Sequence, residues 1–250
     1  MKRFVYLLAM ATVSLFASCS IYHPQAVDIP LINHPQDVRV DASVGMSVWV
    51  LPDVFTVNAT ASYGFNDWLA GQAHINYGGE NIYAQLAPGA YFPLGAHSVF
   101  ETYVGYGLGG SWRDNISHSD ANSNDTTTYK TYAYSGRFML PFVQANIGWH
   151  DLTAAHIDLA FGLKVGGYLP DYDYRKYDAN GDIIAGSEKI YSTPNLLLEP
   201  QVLFRIGGED FKFNVKVGFA WLSDLYGGSS NTVPFTADLF TLSTGFTFAF

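Results

Sequence analysis

From Val38 to Phe250 one pattern recurs in ten stretches: apolar residues at every second position, with small or polar residues between them. A β-strand sends successive side chains to opposite faces, so a period of two gives each stretch one greasy face and one polar face. Thr241 to Phe250 is the cleanest instance. Leu242, Phe246, Phe248 and Phe250 share one parity, and Thr241, Ser243, Gly245, Thr247 and Ala249 share the other. The apolar parity of these stretches is free of charge. The opposite parity holds Arg39, Asp41, His74, Glu101, Asp158, Lys164, Glu199, Arg205, Lys212 and Lys216. An Arg or Lys on a lipid face near midplane costs about 2–4 kcal/mol, so an uncharged face is what lipid demands. A soluble barrel or sandwich would turn its polar face outward and stud it with Lys and Glu. Here that face is mostly Gly, Ser, Thr, Asn and Gln, which suits a confined interior. The expected fold is all-β: an antiparallel up-and-down transmembrane β-barrel of ten strands, with eight as the alternative.

The connections alternate in length. Short turns follow strands two, four, six and eight, and long connections follow five, seven and nine. Transmembrane barrels have short periplasmic turns and longer external loops, so ten strands place both ends of the chain on the periplasmic side. Residues 113–128, 168–194 and 222–235 become external loops, the surfaces open to a protein partner. Ahead of the barrel, Pro24, Pro30 and Pro35 fall within residues 19–37. Proline fixes φ and removes a donor, so this stretch reads as an extended tether leading to a barrel domain over 38–250.

Two features carry a resemblance. A chain ending on such a strand with a terminal Phe resembles bacterial outer-membrane β-barrels, in which that strand is read by the barrel-assembly machinery. Residues 1–18 have a basic start (Lys2, Arg3) and a short apolar core, as a signal peptide does. Their end, Phe16-Ala17-Ser18-Cys19, resembles the lipobox of bacterial lipoproteins. The resemblance implies acylation of Cys19, and Ser20 after it favours the outer membrane over the inner. Outer-membrane lipid and lipopolysaccharide are then the surroundings. Cys19 is the only cysteine, so no intrachain disulfide forms. Acidic residues outnumber basic ones 22 to 13, which argues against nucleic acid as a partner.

The inward charges are the first candidate for function. A register that sets Asp158 opposite Arg205 also sets Lys164 opposite Glu199, a ladder of opposite charges. A two-residue turn at Gly208-Glu209 would put Arg205 opposite Lys212. Such a network either fills the lumen or lines a conducting path. Large inward residues (Trp49, Trp68, Tyr83, Tyr91, Tyr103) favour filling, since small barrels have room only for side chains or one small ligand. Arg137 shares the outward parity and is expected at the outer rim, facing solvent or lipopolysaccharide phosphates.

Other motifs are weaker. Asp178-Ala179-Asn180-Gly181-Asp182 hints at a calcium loop but lacks a terminal bidentate Glu, and Asn-Gly is a hairpin signal. No cofactor or metal is expected. Omptin proteases resemble this chain in strand number and use an Asp pair facing an Asp-His pair. Asp171 and Asp173 with His118 and Asp120 offer those residue types in reversed order and in loops. Ser117 or Ser119 could complete a hydrolase set with His118 and Asp120, but nothing holds that loop rigid. No catalytic residue is assigned. The expected role is structural, adhesive or accessory around a filled lumen, with a narrow solute pore and a surface hydrolase as alternatives.

Overall fold

The computed structural model describes residues 19–22, 28–47, 55–119, 127–178, 180–224, 235–237 and 240–250. Ten antiparallel strands close into a barrel. They are β1 (Val38–Ser47), β2 (Phe55–Gly64), β3 (Leu69–Gly78), β4 (Asn81–Pro93), β5 (Ser98–Ser119), β6 (Thr127–Trp149), β7 (Asp158–Lys176), β8 (Asn195–Gly207), β9 (Phe211–Phe219) and β10 (Phe240–Ala249). Each pairs with its neighbour in sequence, and β10 pairs with β1 from Thr241↔Ser47 to Ala249↔Arg39. Reciprocal backbone bonds between Val38 and Phe250, both 3.1 Å, finish that seam. Closure leaves no sheet edge to satisfy, which is what makes an apolar exterior tolerable in lipid.

The outward parity holds exposed large apolar side chains right round the ring, among them Val57, Ile75, Leu86, Val104, Leu108, Val143, Phe161, Phe213 and Phe246. The inward parity is buried and polar: Ser43, Asn58, Thr60, Gln72, Asn76, Gln144, Asn146 and Gln201 lie there with the charged residues. Between β7 and β8 the register sets Asp158 opposite Arg205 and Lys164 opposite Glu199, as the charge ladder required.

Three local readings change. Residues 113–128 are no simple loop: β5 runs on to Ser119 and β6 starts at Thr127, so the described parts form a long hairpin. The β8–β9 turn lies one position further along, with Glu209-Asp210 as its two central residues and Gly208 N bonded to Phe211 O at 2.8 Å. Arg205 therefore faces Asn214, and Gly207 faces Lys212. That displacement separates two cations that a turn at Gly208-Glu209 would have set side by side. Trp68 lies in the turn before β3 and is exposed rather than lumenal, whereas Tyr83, Tyr91 and Tyr103 are buried. Trp49 lies outside the described residues.

The largest change concerns the stretch read as a tether. Asp28, Ile29, Leu31 and Ile32 are each no more than 3% exposed, because they lie inside the barrel. Further up the chain, Cys19–Tyr22 pairs in parallel with Phe235–Ala237, between β9 and β10. The packed unit thus begins ahead of Val38. Its apolar residues reach burial only by going through the lumen.

Candidate functional site: a lumen filled by its own chain

The lower lumen is organised around residues 28–33, which enter from the rim that carries the short turns. Asn33 Nδ2 lies 3.2 Å from His150 Nε2 at that rim. One step inward, the Ile32 amide donates to Glu101 Oε1 at 2.8 Å. Asn146 Nδ2 donates to the other Glu101 oxygen at 3.0 Å. Arg205 donates to the carbonyls of Pro30 (3.2 Å) and Ile29 (2.8 Å). Gln144 Nε2 donates to the Asp28 carbonyl at 2.6 Å. Asp28 Oδ2 sits 2.7 Å from His74 Nδ1, and its Oδ1 accepts from Lys216 Nζ at 3.3 Å. The barrel wall thus satisfies backbone groups that a non-strand segment would otherwise bury unpaired.

Leu31 sits between these clamps with φ at 61°. A branched side chain rarely takes that left-handed conformation, at a cost of about 1–3 kcal/mol. Arg205 holds the carbonyl before it and Glu101 the amide after it, and Pro30 fixes its own φ, so the surroundings impose the bend.

The same charges tie the seam. Asp41 accepts from Lys216 (2.5 Å), Asn214 (2.9 Å) and Thr247 (2.8 Å), joining β1, β9 and β10. At the short-turn rim, Lys212 Nζ donates to Asp158 Oδ1 at 2.6 Å and Asp151 Oδ1 at 2.9 Å. His150 and His156 also reach Asp151, through Nδ1 at 3.3 and 3.0 Å. Partial burial pushes the Asp151 carboxyl up, but the hydrogen bonds from Lys212, His156 and His150 outweigh it and hold it below the usual carboxylate range. His150, Asp151, Asp158 and Lys212 border a cleft of about 380 Å³ together with Asn33, Arg39 and Glu209.

Above Asp28 the filling changes to aromatic rings. Tyr83 stacks on Phe138 at a centroid distance of 5.7 Å, and Phe138 meets Tyr168 at 5.1 Å. Lys164 lies over the Phe142 ring at 4.8 Å and donates to Gln85 at 3.0 Å, with Glu199 at 3.8 Å. Gly105, Gly107 and Gly109 on β5 make this layer possible, because a Cβ at each would collide with Phe142, Tyr83 and Phe138 in turn. Higher still, the Ser111 hydroxyl meets the Tyr172 hydroxyl at 2.7 Å.

The remaining candidates are dispersed. Arg39 pairs with Asp37 (3.0 Å) at the rim rather than joining the central network. Arg137 is exposed and pairs with Asp171 at 3.3 Å. Asp171 and Asp173 face outward on β7, away from the mouth. His118 belongs to the extension of β5, opposite Thr128, and Asp120 lies outside the described residues. Asp178 Oδ1 accepts from the Asn180 and Asp182 amides, both 2.9 Å, and Gly181 has φ at 86°. Among the described residues no cluster of His, Cys, Asp and Glu is arranged to hold a metal ion. Sequence reasoning missed Asp28 and the backbone of 29–32, which are the centre of the site.

No protein-family model matches the chain, and no curated protein matches it. Among solved structures the chain is similar to one described as "KdgM porin", with 10% identity, a TM-score of 0.38, and coverage of 85% of this chain and 99% of that one. The ten-strand closure itself stands on the backbone pairing given above.

Proposed function

We propose that the protein is an outer-membrane β-barrel built as a narrow pore for small solutes and held shut by residues 28–33. One observation carries this reading. The lower lumen wall is largely polar and carries buried charges on β1, β5, β7, β8 and β9, and a separate segment fills the space they enclose and shares their hydrogen bonds. A wall that serves only as a scaffold has no need of that lining; a water-filled path does. The apolar exterior supports placement in a membrane, and the alternation of short turns and long hairpins supports an outer-membrane barrel. A signal peptide over 1–18 and acylation of Cys19 belong to the same proposal.

The test is single-channel recording in planar bilayers. The intact protein should show no steady conductance, and a variant with 28–33 replaced by Gly and Ser should show a uniform small one. A silent variant that still forms the barrel would overturn the pore reading. The second reading, a structural or adhesive barrel, would then stand. It is favoured by the aromatic layer around Tyr83, Phe138 and Tyr168, which fills part of the lumen above Asp28 with wall side chains.

A further inference from the structure

The sequence pattern put both ends of the chain on the short-turn side. We infer instead that the chain ahead of β1 runs right through the barrel, so that Cys19–Tyr22 emerges at the mouth carrying the long hairpins. The inference rests on the outer-membrane placement proposed above.

The path can be followed residue by residue. Val38 is bonded to Phe250 at the short-turn rim, and Asn33 touches His150 there. Ile32 is one layer in, on Glu101, which is three positions into β5 from Ser98. Asp28 is deeper. Its partners His74, Gln144 and Lys216 each stand five positions from the short-turn ends of β3, β6 and β9, at Leu69, Trp149 and Phe211. At a strand rise of about 3.3 Å and a tilt of about 40°, that is roughly 12 Å of height. The apolar band of such a barrel is about 25 Å tall, so Asp28 sits near its middle.

The far end is fixed independently. Cys19–Tyr22 pairs with Phe235–Ala237, in the connection between β9 and β10. That connection leaves the ends of the two strands opposite the Gly208–Asp210 turn. Six residue steps separate Tyr22 from Asp28, and an extended chain covers up to about 20 Å in that number. The distance to the hairpin mouth is therefore within reach. A lipid on Cys19 would lie in the outer leaflet rather than the inner one.

A protease site inserted between Tyr22 and His23 tests this on intact cells. Matched sites between Ser229 and Ser230, in the β9–β10 connection, and between Gly95 and Ala96, in a short turn, serve as references. The expected result is cleavage at the first two positions without permeabilisation and at the third only after it. Cleavage at Ser229 on intact cells, with the Tyr22 site cut only after permeabilisation, overturns the threading and leaves the outer-membrane reading standing. Protection of the Ser229 site on intact cells overturns both. A photocrosslinking residue in place of Ser20 repeats the test without an insertion. It should join to 235–237, and crosslinks to the turns at 94–97 or 150–157 instead would sink the inference.

Discussion

Arg205 and Ile29 stand 176 positions apart and are joined by a 2.8 Å hydrogen bond from the guanidinium to the Ile29 carbonyl. The cross-strand neighbour of Arg205 is Asp158, yet Asp158 is held by Lys212. The guanidinium turns inward and clamps the segment in the lumen. Removing a buried charged partner leaves unpaired groups behind and costs about 3–5 kcal/mol. Arg205→Met should lower the barrel's stability by that order, read as a shift in urea unfolding in detergent. Arg205→Lys should fall between, because it keeps the charge and loses the fork that spans two carbonyls. A loss under about 1 kcal/mol for Arg205→Met would mean that the segment is not held by this residue.

The glycine lane of β5 supplies a packing test. Gly105→Ala should cost about 1–3 kcal/mol by overpacking, because its methyl meets the Phe142 ring. Adding Phe142→Leu should recover part of that loss, a coupling visible in a double-mutant cycle. Strictly additive losses would show that the two side chains do not share that space.

The exterior can be probed beside the same lane. Val104 is 63% exposed on the outward parity. Val104→Arg should lower stability by about 2–4 kcal/mol in a lipid bilayer. The loss should be much smaller in urea-containing aqueous detergent, where the charge can reach water. Equal effects in the two media would argue against lipid contact at this position.

Acid should act on the short-turn rim. The Asp151 carboxyl is held below its ordinary range, so its ionised form favours the folded state. That contribution is complete above the ordinary Asp value of about 3.9 and fades as pH falls below it toward the lower folded value. The side chain is 40% exposed, which limits the effect to about 0.2–1 kcal/mol. Asp151→Asn should therefore be less stable than the parent by a constant margin at neutral pH, and the margin should close on acidification below about pH 4. Urea midpoints across that range check it. A margin that widens in acid would reverse the assignment.

The barrel was legible because one face of every strand is apolar and uncharged. A slip of one residue would turn that face inward, so parity told inside from outside, and the opposite charges of Asp158–Arg205 and Lys164–Glu199 picked the register. Turn geometry is not written in parity, which is why the pairing of Arg205 was wrong by two positions. The extension of β5 to Ser119 and the start of β6 at Thr127 were hidden because residues 113–119 and 127–128 carry no alternating apolar face. Residues 28–33 were hidden because a segment that is neither strand nor helix has no period to read. Two clues did exist. Ile29, Leu31 and Ile32 are too apolar for a solvated tether, and the inward residues chosen from the strands hold five Lys or Arg against four Asp or Glu. Asp28 supplies the missing negative charge.

A chain that runs through the barrel as inferred above also imposes an order of assembly. A ring of strands with no open edge admits a chain only by its free end, or before its last two strands join. An end that bears acyl chains, or that is still attached to whatever precedes residue 19, does not pass through a finished ring of this width. The join between β1 and β10 is then the final event, and Asp41 cannot collect Lys216, Asn214 and Thr247 until the segment is already inside. For this chain, closing the barrel and locking its contents are one step.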